Sequence, residues 1–252
     1  MNSFPQSLKS WRQTRRLSQL DLALEAEVSA RHISFLETGR AKPSRDMIGR
    51  LGAAMQLPLD AQNQLLNHAG FAARYPVRQW EDAEMAPIKE AIAYTLESHA
   101  PYPAIAVDRL WNIVRMNDPA KMLYAQFGMQ EGDSVLDLLL SPDLPAIIEN
   151  WPAVAHHSAR RLRTESAAQG GIPEFEKVAA ELSKVPPSGG HTLEPVLPTI
   201  LNNGEMRLSL FATIAQLGTP EDVTLDALKI ELFFPADEPT AQLLRAMANW
   251  SA

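Results

Sequence analysis

The chain has 252 residues, 46% of them hydrophobic and 21% charged, which suits about two folded domains with buried cores and excludes a wholly disordered chain. It has no cysteine, so a disulfide framework, thiolate metal sites and a cysteine nucleophile are excluded together. The net charge of −7 argues against nucleic acid until it is divided: residues 1–75 hold ten Lys/Arg against six Asp/Glu, and the rest hold thirteen against twenty-four.

Residues 6–70 read as five short helices. Leu8 and Trp11 lie on one face of a first helix ending near Arg15. Ser18 caps a second, with Asp21 in the capping-box position. Ser29 caps a third, which ends at Gly39. Pro43-Ser44 opens a fourth that buries Met47, Ile48, Leu51 and Met55, and Pro58 opens a fifth that runs toward Gly70. Residues 76–86 lose periodicity and read as a linker.

From residue 87 the pattern changes to α+β. A helix over 88–96 precedes a hairpin of strands 104–107 and 111–116. Helical segments follow at 117–127, 133–140, 143–168 and 173–184, and then strands at 192–201, 206–215 and 226–234. Leu208, Leu210, Ala212 and Ile214 alternate with Ser209, Phe211 and Thr213, the mark of a sheet with unlike faces. The division is 1–75, a linker over 76–86, and 87–252.

The string from Leu17 through Ala23, with Val28-Ser29, Ile33-Ser34-Phe35-Leu36-Glu37-Thr38-Gly39-Arg40 and Pro43-Ser44, resembles the helix-turn-helix of phage repressor/Cro-type regulators, the xenobiotic-response-element family. The resemblance implies a lambda-repressor-like domain whose third helix enters the major groove of double-stranded DNA. On a helical wheel Leu36 and Glu37 fall within about 60° of Ile33, while Arg31, Ser34 and Phe35 face away. The motif then implies base-edge contacts from Ala30, Arg31, Ser34 and Phe35, with Ser29 at the helix start. Gln19 is expected to hold a phosphate and Arg40 is a candidate phosphate contact, while Lys42 and Arg45 are either phosphate contacts or ordinary surface charges. The family also sets an arginine of the first helix, here Arg12, against Glu37. One position departs from the pattern: the turn between the two helices usually carries glycine, and here it carries Glu27.

Pro101-Tyr102-Pro103-Ala104, Val107-Asp108-Arg109, Phe211-Ala212-Thr213, Gly218-Thr219-Pro220 and Phe233-Phe234-Pro235 together resemble MmyB-like transcription regulators. That resemblance implies a PAS-like ligand-binding domain with a five-stranded antiparallel sheet and a bound long-chain fatty acid, with no cofactor required. Trp111, Trp151, Phe211 and Phe233 either line such a pocket or form core, and Asn112 either meets a ligand head group or satisfies a turn. Arg160, Arg161 and Arg163 offer a counter-charge for a carboxylate or form a solvated basic face.

Catalysis finds little support. The six histidines form no metal-ligand pair at helical spacing, and no phosphate-binding or nucleophile-elbow string occurs. Asp222 with Asp226, or Glu231, are paired carboxylates of the kind any acidic surface provides. No apolar run reaches the roughly twenty residues of a membrane span, and the first seventeen residues show no secretory leader, so a cytoplasmic protein is expected. The resulting expectation is a homodimeric, sequence-specific regulator that senses a small apolar ligand. The alternative is a protein-interaction or antitoxin-like module that uses the helix-turn-helix as scaffold.

Overall fold

A computed structural model of the chain describes residues 3–187 and 195–250. Two compact units emerge, one built of Met1–Arg78, Ser166–Ile172 and Thr219–Asp226, the other of Gln79–Glu165, Pro173–Gly218 and Ala227–Ala252.

The first unit contains α1 (Phe4–Thr14), α2 (Gln19–Glu25), α3 (Ala30–Glu37), α4 (Arg45–Ala54) and α5 (Leu59–His68). Ser18, Ser29 and Ser44 each accept a hydrogen bond from the backbone N–H three residues on, fixing where α2, α3 and α4 begin. Their apolar faces meet in one core of Leu8, Leu22, Ala23, Ile33, Leu36, Ile48, Leu51 and Leu65, while Met47 is only partly buried against it. Gly39 ends α3 at φ 72°, as expected of a left-handed cap. α5 begins at Pro58, which has no capping side chain; the Leu59 N–H donates instead to Asp226 Oδ2 at 2.9 Å. Asp226 closes the short helix α12 (Val223–Asp226) of the same unit.

The stretch read as a linker is tied down at its start. Buried Asn63 accepts from the N–H groups of Arg74 and Tyr75 and donates to the Tyr75 carbonyl. Asp222 pairs with Arg78 at 3.0 Å, and Thr224 Oγ1 donates to the Arg78 carbonyl at 2.7 Å. Further on, a 3-10 turn (Ala83–Met85) leads into α6 (Ala86–Ser98).

The second unit is built on five antiparallel strands: β1 (Ala104–Val107), β2 (Ile113–Met116), β3 (Thr199–Asn202), β4 (Arg207–Ala215) and β5 (Lys229–Pro235), in the order β2-β1-β5-β4-β3. The helices α7 (Asp118–Ala125), α8 (Val135–Leu139), α9 (Leu144–Ile147), α10 (Trp151–Ala168) and α11 (Pro173–Leu182) come between β2 and β3, and α13 (Glu238–Trp250) follows β5. Buried Asn117 joins several of these elements. Its Oδ1 accepts from Ala104 and Ala120 N–H, capping α7, and its Nδ2 donates to the carbonyls of Leu96 and Tyr102. A buried amide with every hydrogen bond made fixes α6, β1 and α7 against one another.

Several details differ from the expected elements: the last strand begins at Lys229 because Asp226 belongs to α12, and α13 follows it where no element is expected. The helix expected over 143–168 is two helices, because Ile148 turns extended and bridges Leu201, and Glu149 N–H donates to the Ile200 carbonyl. Pro152, in the first turn of α10, has no N–H to donate to the carbonyl four residues back, so a helix can start there but not run through. The second hairpin strand begins at Ile113, not residue 111: Asp108 Oδ1 accepts from the N–H groups of Leu110 and Asn112, and that turn holds Trp111 at φ 61°. Of the expected strand over 192–201, residues 192–194 lie outside the described residues, and the observed strand starts at Thr199.

Candidate DNA-binding face and ligand cavity

α2 and α3 meet through Ala23, buried and small enough to let the helices approach, with Leu22, Ile33 and Leu36 filling the space beneath. The turn between them places Glu27 at φ 54°, the left-handed conformation in which glycine costs least. The outer half of α3 then carries Arg31, exposed, with Ser34 and Phe35 partly so. The Arg31 guanidinium lies over the Phe35 ring, 5.2 Å from its centroid, and among the described residues it pairs with no carboxylate. An arginine braced on an aromatic ring presents its donors outward with less freedom to lose on binding. Arg40 and Lys42 follow the helix and are exposed, and Arg45, also exposed, makes a long bond to the Ala73 carbonyl.

Behind this face Glu37 is nearly buried. Arg12 grips it through Nε (2.6 Å) and Nη2 (3.0 Å), and Gln19 Nε2 donates to it at 2.8 Å. Burial pushes the Glu37 carboxyl up, but the bonds from Arg12 and Gln19 outweigh it and hold the group below the usual carboxylate range. The Gln19 side chain is thus partly committed to the protein.

In the second unit, a cavity of about 1090 Å³ opens between the sheet and the inserted helices. Leu138, Leu139, Leu144 and Ile148 wall one side, and Leu210, Phe211, Ile214 and Phe233 another. The volume is just above the roughly 300–1,000 Å³ common for small-molecule sites, and the lining is mostly hydrocarbon.

One end of the cavity is polar. Arg161 on α10 bonds Glu165 through Nε at 2.9 Å, donates through Nη2 to Glu231 on β5, and stacks 4.3 Å over Trp111. Lys229 bonds the same Glu165, and Trp111 Nε1 donates to it at 3.0 Å. Burial pushes Glu165 up, yet Lys229 and Arg161 hold it below its ordinary value; burial also lowers Arg161, and the two glutamates overcome that. The Trp111 ring is further fixed edge-on to Phe175, with centroids 5.6 Å apart. A bulky residue in the left-handed region is costly, and here the Asp108 turn and the stacked pair hold it there.

Two matches to known families rest on these parts of the chain. Residues 8–62 match the helix-turn-helix family, and residues 88–247 match the MmyB-like transcription regulator ligand binding domain. The chain belongs to the MmyB-like transcription regulators. No curated protein matches it. A helix-turn-helix joined to a ligand-binding domain makes it a regulator whose partners are DNA and a small molecule. Both families are regulatory and not enzymatic. No described helix is long and apolar enough to cross a membrane.

In this MmyB-like regulator the expected DNA contacts share one region: Ser29 caps α3, Ala30, Arg31, Ser34 and Phe35 follow on it, and Gln19 starts α2. Of the expected ligand residues, Trp111, Phe211 and Phe233 line the cavity. Trp151 is buried at the start of α10 and is not among the lining residues. Asn112 is absent from the wall as well; its Nδ2 donates to Asp108 Oδ2 at 2.9 Å, the turn-satisfying alternative. Arg161 is half enclosed in the charge cluster, Arg163 bonds Ser183, and only Arg160 remains an exposed cation at the wall, bonded to His157. Tyr124 and Glu231 also line the cavity, and nothing in the sequence marks them as ligand residues. Neither carries a motif, and they meet only because α7 and β5 fold onto one cavity.

Proposed function

We propose that this regulator binds a two-fold operator as a homodimer, reads base edges with the outer face of α3, and holds a long-chain fatty acid or a closely similar apolar chain in its second domain. The observation that carries the reading is the pairing, in one chain, of an outward Arg31 braced on Phe35 with a hydrocarbon-walled cavity of about 1090 Å³. A guanidinium on the exposed face of this helix suits guanine O6 and N7, and a cavity of that size suits an acyl chain better than a compact metabolite. Each buried methylene contributes about 0.8 kcal/mol, so the chain would supply the affinity and the head group the choice among chains. Ligand binding would act on DNA affinity through whatever arrangement the ligand favours.

Selection of bound sequences from a random duplex pool, with the full-length protein, tests the first half. A recovered palindrome with half-sites about one helical turn apart, or a multiple, supports the reading. Recovery of no sequence preference favours the scaffold alternative. Solvent extraction of the purified protein followed by mass spectrometry tests the second half, through an acyl lipid near one per chain.

A further inference from the structure

We infer that the cavity selects a chain with an uncharged polar head, such as a hydroxyl, a carboxamide or an undissociated carboxyl, seated between the Tyr124 hydroxyl and the Glu231 carboxylate. This rests on the reading that the cavity holds an acyl chain, and it names the chemistry at the head of that chain.

Two residues on the cavity wall, Arg161 and Glu231, belong to one chain of ion pairs that continues through Glu165 to Lys229, two cations against two carboxylates. Arg161 is engaged on Nε and Nη2 and covered on one face by Trp111. A ligand carboxylate placed there would add a third negative group to a balanced cluster within mostly apolar walls, where an uncompensated charge is costly.

The hydrogen-bonding inventory points the same way. Tyr124 is only 8% exposed and lines the cavity, and no described residue hydrogen-bonds to its hydroxyl. Burial and the neighbouring Glu231 raise its pKa, so it remains a neutral O–H donor. Glu231 accepts from Arg161 through Oε1, and among the described residues its second oxygen, Oε2, receives no donor. An O–H donor and a carboxylate acceptor on one cavity satisfy a head that can both accept and donate. A hydroxyl, an amide or an undissociated carboxyl does both, whereas an ionised carboxylate only accepts.

The other titratable groups on the wall are His156, His157 and Arg160, all on α10. His156 Nε2 is engaged by the Val185 carbonyl at 2.8 Å, and burial, Arg160 and Arg161 make His157 less basic than usual. Exposed Arg160 is therefore the rival seat for a carboxylate, and the experiment must separate the two.

The test is competition against an environment-sensitive acyl probe on the delipidated full-length protein at pH 7.5, using dodecanol, dodecanamide, dodecanoate and dodecane. The inference expects the alcohol and amide to bind about 10-fold or more tighter than dodecanoate. Tyr124→Phe should weaken the alcohol and amide severalfold and leave dodecane unchanged. Glu231→Gln should narrow the preference against dodecanoate by about 10-fold; if that variant fails to fold, the ranking on the unaltered protein decides alone. Dodecanoate binding as tightly as the alcohol, with the advantage lost in Arg160→Ala, would overturn the inference and keep the acyl-chain reading. Failure of all four to bind would overturn both.

Discussion

Arg12 on α1 and Glu37 at the end of α3 form a two-pronged pair, with side chains only 11% and 3% exposed, and Arg12 also donates to the Leu17 carbonyl at 2.8 Å. The pair ties the recognition helix to the first helix and to the loop before α2, and Gln19 at the start of α2 adds a third tie to Glu37. Removing one partner of a buried pair leaves the other charge unpaired, which costs about 3–5 kcal/mol. Arg12→Ala is expected to lower the stability of the helical domain by about that amount in denaturant unfolding. Operator affinity should fall with it, while the salt dependence of the remaining binding stays the same. A lower salt slope would instead make Arg12 a phosphate contact.

Glu27 gives a prediction of opposite sign. A non-glycine residue at φ 54° pays about 1–2 kcal/mol for its Cβ, less what glycine gives up in the unfolded chain. Glu27→Gly should therefore stabilise the protein by about 0.5–1 kcal/mol, seen as a raised denaturant midpoint with unchanged slope. Destabilisation would mean that the Glu27 side chain makes a contribution larger than its backbone cost.

Arg31 and Lys42 should differ in kind. Arg31→Ala is expected to cost about 1–3 kcal/mol of discrimination at one base pair and to relax specificity there. Lys42→Ala should weaken binding to all sequences alike and lower the salt slope by about 1. Affinities for a set of single-base operator variants at several salt concentrations distinguish the two.

Acid should act through the enclosed carboxylates. Glu37 and Glu165 are both held below their ordinary value of 4.5 in the folded protein. As pH falls, the unfolded chain therefore takes up these protons first, and the stability they provide is complete above 4.5 and lost below it. Melting temperature should be insensitive to these groups from pH 8 to about 5 and should drop below that, less steeply in Glu37→Gln. An equal slope in that variant would show that Glu37 carries no folded-state shift.

The helical domain was readable because its determinants are local. Ser18, Ser29, Ser44 and Gly39 sit where the backbone needs a cap, and Leu22, Ile33 and Leu36 repeat at helical spacing. The sheet is legible in the alternation along β4, but the C-terminal helix α13 is not expected from the sequence. The cavity was less legible for a physical reason. Arg161 and Glu231 are 70 residues apart, and each looks like a surface charge until the sheet places them together. The residue types around Trp111 favour β, so the sequence alone places it in a strand. What overrides that preference is the Asp108 carboxylate gathering two backbone N–H groups into a turn. Trp151 and Phe211 are both large and aromatic, and sequence could not tell the one in the core from the one at the cavity wall.

The account rests most on the link between cavity and operator. The direct measurement is the affinity of the full-length, delipidated protein for its selected operator, with and without a saturating acyl ligand, at fixed salt. The account predicts a change of about 5-fold or more, and by reciprocity an equal change in ligand affinity when the operator is bound. Identical affinities with ligand bound at one per chain would contradict it, and would leave a DNA-binding protein whose cavity does not regulate it.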